Sequence, residues 1–362
     1  MKVTIVGAGI GGLTLANALQ KKGVDFEVYE AFSEFKTVGA GIILAENAMK
    51  VFRELELAPR LREVGNSLNS VRITDPNLGI LLSNSTSVES ETVALHRADL
   101  QYQLLYNLPK EKIHLGKRIH KLDKVNGKTI LMFDDRTSHS ASIVIGCDGI
   151  NSKVREAVVT NSKIRCAKQS CWRGVLNYQL PTEFTENVHE IWGEGLRIGI
   201  VQLNGEQVYW YALKDSEKGD EHLTHADLAQ LFKHYPALVI DILKATGDDQ
   251  IILNDMIDLD PIDKWYRDSV CLLGDAAHAT TPNLGQGACQ SIVDAKVLAD
   301  CLSVYDAAPK AFKEYQKQRF KAANKITKMS WTLGKIAHWK LPIAVNFRNS
   351  MLRISAKLVG NL

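Results

Sequence analysis

Three segments of the chain carry residue types that handle phosphate, ribose or polyol groups. The first is Gly7-Ala8-Gly9-Ile10-Gly11-Gly12, directly after the apolar run 3–6. Glycines at this spacing let a backbone approach a pyrophosphate, and a helix that starts there offers unpaired N–H groups and a partial positive charge. Glu30, just before Ala31, ends the next apolar run eighteen residues after Gly12. A carboxylate at that place accepts hydrogen bonds from an adenosine ribose. The second segment is Cys147-Asp148-Gly149-Ile150-Asn151-Ser152-Lys153-Val154-Arg155. The third runs Leu273-Gly274-Asp275-Ala276-Ala277-His278-Ala279-Thr280-Thr281-Pro282-Asn283-Leu284-Gly285-Gln286-Gly287-Ala288. It places an acid after an apolar strand, then a proline and a glycine-rich approach to a helix. The first segment fits NAD and FAD equally, whereas a simple NAD dehydrogenase has no use for the third. His278 reads as a structural hydrogen-bonding group rather than an acid–base catalyst.

No cluster of His, Cys and carboxylate has metal-ligand spacing, so no metal is expected. The six cysteines (147, 166, 171, 271, 289 and 301) include no Cys-x-x-Cys pair. They read as reduced thiols, Cys166 and Cys171 included. Hydrophobic residues make up 45% and charged residues 23%, as in ordinary globular enzymes. No run is long enough to span a membrane, and the apolar start is too short for a signal-peptide core. The expected compartment is the cytoplasm. The net charge of +3 is uneven: residues 310–362 hold twelve Lys and Arg against Glu314 alone, +11, which leaves −8 for the other 309 residues. A basic tail suits nucleic acid, an anionic membrane or a solvated helix face. The last is the commonest, and no nucleic-acid partner is expected.

Around these residues the pattern predicts a strand over 3–6, a helix over 13–22 and a strand over 26–29, a βαβ unit with its ligand at the carboxyl ends of the strands. A helix near 46–53, a hairpin of 71–74 with 79–83 around Asp75-Pro76-Asn77, and a helix over 99–106 follow. Strands lie within 113–133, broken at Asn126-Gly127, and over 142–145. Residues 174–178, 189–192, 197–203 and 207–213 alternate like an antiparallel sheet, followed by one helical stretch over 226–243. A strand over 269–273 returns the chain to the first domain. A long helix over 310–338 has Phe320, Ala323, Ile326, Met329, Leu333 and Ile336 on its apolar stripe, and Pro342 breaks it. The fold class is therefore α/β. A Rossmann-like nucleotide domain (1–70, 95–162 and 266–309) carries an inserted mixed or antiparallel sheet domain (71–94 and 163–265). A C-terminal helical segment covers 310–362.

The three segments, in this order, resemble the single-component FAD-dependent aromatic hydroxylases, the group A flavoprotein monooxygenases with a para-hydroxybenzoate hydroxylase-like fold. The resemblance covers nearly the whole chain. It implies non-covalent FAD, NADH or NADPH as co-substrate, and O2 activated as a flavin C4a-hydroperoxide that attacks an electron-rich carbon. It further implies that Asp275 holds the ribityl chain and that Gly285, Gln286, Gly287 and Ala288 face the flavin pyrimidine from a helix N-terminus. Pro282 would line the face where oxygen reacts. Asp148 with Arg155 matches a fingerprint tied to FAD and pyridine nucleotide, and Arg97 matches an Arg that reaches the FAD phosphates. Gly39-Ala40-Gly41-Ile42 matches the loop over the isoalloxazine. The Trp-x-Trp-x-Ile-Pro of flavin halogenases is absent.

For the substrate, a small aromatic molecule, the candidates are Arg173, Arg197, Tyr209, Tyr211 and Asn283. Pro282, Arg197 and Tyr209 are the candidate catalytic residues. Arg197 and Tyr209 match positions that contact substrate in FAD-dependent urate hydroxylases. Those enzymes have Asp where this chain has Asn283, and an amide cannot take a proton as a carboxylate can. Asn283, Cys171-Trp172-Arg173, Trp192-Gly193 and the tail look more like the alkyl-quinolone hydroxylases. A urate-type hydroxylase, an epoxidase, and an FAD-dependent reductase that does not use O2 remain alternatives, and the oligomer is expected to be a monomer or dimer. In the tail, Phe347, Met351, Ile354 and Leu358 form one apolar helix stripe with Arg348, Arg353 and Lys357 off it. That arrangement is compatible with peripheral contact on an anionic membrane, but packing of the stripe on the nucleotide domain is the commoner outcome.

Overall fold

A computed structural model describes residues 2–35, 40–85, 91–216 and 222–359 of the chain. Gly39, and the side chains of Lys357 and Leu358, lie outside what is described. The elements that position the site begin with β1 (Lys2–Val6), α1 (Ile10–Lys21), β2 (Asp25–Tyr29), β3 (Gly41–Leu44) and α2 (Arg97–Leu105). Next come β4 (Val144–Gly146), α3 (Lys153–Val158) and the long strand β5 (Ile164–Asn177). β6 (Asn187–Trp192), β7 (Leu196–Asn204), β8 (Gln207–Asp215) and β9 (Ile252–Leu259) follow. β10 (Val270–Leu272), α4 (Gly287–Val304), α5 (Ala308–Ala337) and α6 (Pro342–Val359) complete the set.

The nucleotide sheet has the order Tyr266–Arg267, β10, β4, β1, β2, Ile113–His114, parallel throughout except at the Tyr266–Arg267 edge. Strands covered on both faces must be apolar nearly without interruption. Val3, Ile5, Val28, Val144, Ile145, Cys271 and Leu272 are accordingly all buried. Val6 is in register with Tyr29 and Gly146, and Gly146 with Leu272. The carboxyl ends are therefore level, and Gly7, Glu30, Cys147 and Leu273 emerge along one edge, where an open parallel sheet binds its ligand.

The second sheet has the order β9, β5, β8, β7, β6, Ser70–Thr74, Ile80–Ser85. It is antiparallel apart from the pairing of β6 with Ser70–Thr74. Alternation sorts its residues. Trp172, Ile198, Ile200 and Trp210 enter a core with the helices His225–Leu231 and Ala237–Ala245. Arg173, Glu190, Arg197, Tyr209 and Tyr211 fall on the other face.

Several expectations are corrected. The single helical stretch at 226–243 is two helices, because Pro236 lacks an N–H and starts the second. β9 went unrecognised, and β5 is much longer than the strand expected at 174–178. The strand Val93–His96, which the expected boundary at 94/95 divides, pairs with β3, and its residues pack against both cores. The inner face of α5 only partly follows the predicted apolar stripe: Ala323 is buried as expected, but so are Ala311, Phe312, Tyr315, Thr327, Ser330 and Gly334, while Met329 is exposed. Small residues let this helix lie close to the loop at 281–285, which a hydrophobicity pattern does not read. Of the α6 stripe, Phe347, Met351 and Ile354 face solvent, the reverse of the commoner outcome. All six cysteines are free, as read from their spacing.

Candidate active site

At the amino end of α1 three glycines are fixed by packing. Gly7 takes φ +102, and a Cβ there would meet Cys147 O at 2.4 Å. At Gly12 a Cβ would stand 2.0 Å from Gly7 O, and at Gly11 it would press on Leu273. Gly9 differs: a Cβ there meets nothing within 4 Å. It caps α1 with no side-chain bond and no acid in the first turn. Glu30 braces this turn, accepting from Ala8 N–H at 2.6 Å and Phe32 N–H at 3.0 Å, and half-buried Ala31 bends the chain away. Gln101, one turn into α2, donates to Ala8 O at 3.0 Å. The same helix starts at Arg97, whose N–H donates to Ala40 O at 2.9 Å and whose exposed side chain, among the described residues, makes no hydrogen bond or ion pair.

Asp275 follows β10 and Gly274. Its carboxylate is exposed to solvent, yet the surrounding chain desolvates it and pushes its pKa up, against the opposing charges of His278 and Arg97. Exposure combined with desolvation describes a group on the floor of a crevice. Beyond it Pro282, exposed, opens the tight turn Pro282–Leu284, and Gly285 takes φ +63, a backbone that glycine adopts without strain. α4 then starts at Gly287 and Ala288 without a side-chain cap and without an acid in its first turn. The Gln286 side chain is held by Asn47 at 3.0 Å and Gln290 at 3.2 Å.

These groups fit an elongated dinucleotide with a central pyrophosphate. Two helix N-termini present unanswered N–H groups, Gly9 leaves room for close approach, and Arg97 supplies an unpaired guanidinium. Glu30 and Asp275 supply carboxylates for hydroxyl groups at either end. The N-terminus of α4 adds partial positive charge suited to an anionic ring.

Two expected contributors are used elsewhere. Asp148 accepts from Ser152 Oγ at 2.6 Å, Lys153 N–H at 2.8 Å and Val154 N–H at 3.1 Å, so its carboxylate caps α3. Buried Arg155 donates to Ser162 Oγ, Ala276 O and Ile150 O, which staples the Asp275 turn to the turn before α3. His278 is structural. Its Nε2 lies 2.5 Å from Asp294, which also accepts from Arg319 at 2.7 Å. Burial alone would raise the Asp294 pKa, but His278 and Arg319 hold it below the ordinary carboxylate range.

On the second sheet, register brings the substrate candidates together. Arg173 is opposite Tyr211, Tyr211 opposite Gly199, and Gly199 opposite Glu190, one cross-strand row. A Cβ at Gly199 would meet the Tyr211 ring at 2.1 Å, so glycine makes room for it. Tyr209 lies 5.7 Å from Tyr211 and covers Gly41 of β3, whose Cβ would stand 2.5 Å from the Tyr209 ring. Ile42, next on β3, is half-buried against the nucleotide core. Burial drives both phenols well above their usual pKa, so both stay protonated. Arg173 Nη2 donates to Asn254 Oδ1.

Arg197 is fully buried. Its Nη2 donates to Asn283 Oδ1, while among the described residues Nε and Nη1 have no hydrogen-bond partner. Glu190 is its nearest carboxylate at 4.0 Å, already accepting from Trp192 Nε1 at 2.7 Å and Tyr211 OH at 2.6 Å. Asn283 spends its amide protons on Thr281 Oγ1 and Ser330 O, each at 3.0 Å, so it anchors Arg197 rather than projecting freely. His338, at the end of α5, donates Nδ1–H to Gly334 O at 2.9 Å, and among the described residues its Nε2 has no hydrogen-bond partner. Burial and the Arg197 charge lower its pKa to about 4. Glu190, Gln101 and His338 escaped the sequence reading. Glu190 alternates with Val188 and Trp192 and Gln101 sits one turn after Arg97, but nothing local marks His338.

Three comparisons bear on this arrangement. The model of the family described as FAD binding domain matches residues 1–330. A 2-heptyl-3-hydroxy-4(1H)-quinolone synthase of Pseudomonas aeruginosa is 34% identical over 98% of this chain and 94% of its own. An aurachin C monooxygenase/isomerase of Stigmatella aurantiaca is 32% identical over the same shares. Among solved structures, Klebsiella pneumoniae HpxO complexed with FAD and uric acid superposes with a TM-score of 0.88 at 26% identity, covering 98% of this chain and 92% of that one.

Proposed function

The chain belongs to the FAD-binding family of flavoprotein monooxygenases, and from that premise we propose that it hydroxylates a planar, moderately lipophilic heteroaromatic ring of the quinolone type. It is an FAD-dependent enzyme that takes electrons from NADH or NADPH and oxygen from O2 to hydroxylate a small aromatic molecule. The compartment we assign is the cytoplasm, with a peripheral membrane contact through the C-terminal segment.

Bound FAD supplies the activation of O2; the chain supplies binding, orientation and charge. Glu30, Arg97, Gly9 and Asp275 are the residues we assign to hold FAD, with the N-terminus of α4 at its ring. Tyr209 and Tyr211, backed by Gly41 and Gly199, give an aromatic wall of two rings tilted by 39°, suited to an aromatic substrate. Arg197 carries the reading. Among the described residues its Nε and Nη1 are buried donors without a hydrogen-bond partner, which suit the electron-rich exocyclic oxygen that activates such a ring before attack. Pro282 we place beside the reacting carbon.

A urate-type pocket needs a proton acceptor of carboxylate strength at 283. Here that position is an amide whose protons are already spent inside the protein. The test is a steady-state comparison of a 2-alkyl-4-quinolone with urate, following NAD(P)H, O2 and hydroxylated product. Tightly coupled turnover of the quinolone supports the proposal, and higher kcat/KM with urate overturns it. NAD(P)H oxidation without substrate-dependent O2 uptake would instead mark a reductase.

A further inference from the structure

Ile343, Phe347, Met351 and Ile354 recur along α6 at intervals of three and four residues, one stripe of the helix. With Leu341 they are between 55% and 86% exposed. The orientation is fixed by the opposite side of the helix. Buried Arg348 donates to Ala337 O at 2.8 Å and Gly193 O at 3.2 Å and lies over the Trp192 ring. Arg353 pairs with Asp75 at 3.0 Å, and Val345 is buried. α6 packs on the strand Ile80–Ser85 of the second sheet. Where α6 begins, Trp339, Leu341, Pro342, Ile343, Ala344 and Phe347 line an apolar groove. An exposed apolar patch of this extent marks a surface with a partner.

The charge around it says which partner. Residues 315–362 contain ten Lys and Arg and no Asp or Glu. Lys321, Lys325, Lys328 and Lys335 share one face of α5 by spacing and, among the described residues, have no carboxylate within ion-pairing distance. Lys335 lies over the Trp331 ring, while Lys340, next to Leu341, is paired with Asp215 at 3.1 Å. Pairing this surface with a second copy about a two-fold axis would set lysine against lysine. An anionic bilayer answers both the apolar stripe and the lysines. No helix among the described residues is long and apolar enough to cross a membrane, so the contact is peripheral.

We propose that α6 and the end of α5 form a lipid-docking surface. Leu341, Ile343, Phe347, Met351 and Ile354 enter the interface of an anionic bilayer, and the α5 lysines meet its headgroups. Arg348 ties this surface to Gly193, directly after β6, the strand that carries Glu190. A lipophilic substrate dissolved in the bilayer thus reaches the enzyme beside its substrate face. That last step rests on the proposed lipophilic substrate; the docking itself does not.

The experiment is sedimentation of the full-length, FAD-loaded protein with phosphatidylcholine vesicles, with and without phosphatidylglycerol, in the absence of substrate. Wild type sediments with the anionic vesicles, and added salt weakens the binding. A variant with Ile343→Glu, Phe347→Glu and Ile354→Glu keeps its FAD absorbance and partitions at least about tenfold less. A second variant, Lys325→Glu with Lys328→Glu, loses binding to anionic vesicles by about the same factor while its fold is untouched. Wild type that stays in the supernatant, or a triple variant that sediments equally, overturns the proposal. So does a dimer in light scattering that the triple variant dissociates, since this face would then join two copies. Quinolones that prove inactive while vesicle binding persists would sink the quinolone reading alone.

Discussion

Arg197 of the second sheet donates to the side-chain carbonyl of Asn283, in the turn before α4, so one hydrogen bond joins the substrate face to the nucleotide domain. The amide is specified from the other side as well, because Ser330 O and Thr281 Oγ1 accept its protons. An amide meets both demands, since it donates and accepts at once.

Asn283→Asp is therefore expected to destabilise the protein, although it places a carboxylate beside a cation. The new oxygen faces Ser330 O with no proton between them, and two buried hydrogen bonds are lost, at a net cost of about 1–2 kcal/mol. Urea denaturation of the two proteins measures it. A variant as stable as wild type, or more so, would show that the Arg197 charge governs this position.

Gly9 and Gly12 make opposite predictions. Gly9→Ala leaves the stability of the apoprotein unchanged, because nothing stands within 4 Å of the new methyl, but weakens FAD at least about tenfold by blocking backbone approach. Gly12→Ala costs the fold itself about 3 kcal/mol, since its methyl would meet Gly7 O. Thermal melts of apoprotein and FAD titrations separate the two. Equal effects at both positions would mean that Gly9 is not beside the pyrophosphate.

Glu30→Ala is expected to lower FAD affinity by about 1.5–3 kcal/mol, the range for a hydrogen bond to a charged group. Flavin fluorescence titration reads it directly. Unchanged affinity would confine Glu30 to bracing Ala8 and Phe32.

His338 predicts a pH dependence of stability. Its pKa is about 4 in the fold against an ordinary value of 6.5, so the unfolded chain binds the proton more readily. The stability tied to its neutral form is complete above pH 6.5 and is lost as pH falls through that window towards 4. The steepest loss is roughly 1 kcal/mol per pH unit. His338→Asn, which keeps a donor for Gly334 O, should flatten that part of the profile. An identical slope in the variant would place the titration elsewhere.

The nucleotide half was legible because its constraints are local. Gly7, Gly12 and Glu30 limit one another within a single βαβ unit, and their spacing shows it. The substrate face was legible as a set, since alternation alone puts Arg173, Tyr209 and Tyr211 on one side, opposite Trp172 and Trp210. What each polar group bonds to was not legible. Asp148 caps α3, Arg155 ties two turns together, and Asn283 is held by Ser330, a residue of α5 distant in sequence. The α5 stripe misled because close approach selects Ala, Ser, Thr and Gly, which carry no hydrophobic signal. On α6 the period was right, but only the anchoring of Arg348 and Arg353 decides which side faces out.

The strand order of the nucleotide sheet also sets an order of folding. β1 is flanked by β4, and β4 by β10, so the sheet is incomplete until residues 270–272 have been made, and its covering helix α4 comes later still. β5 to β9 form a continuous stretch of mostly antiparallel neighbours that can assemble earlier, since closing short loops is fast and long-range parallel pairing is slow. In refolding, the fluorescence of Trp172 and Trp210, buried in that second core, should recover before FAD binding does. A fragment ending near residue 150 would then hold the glycine motif and Glu30 yet bind no flavin, because β10, Asp275 and α4 are missing from it.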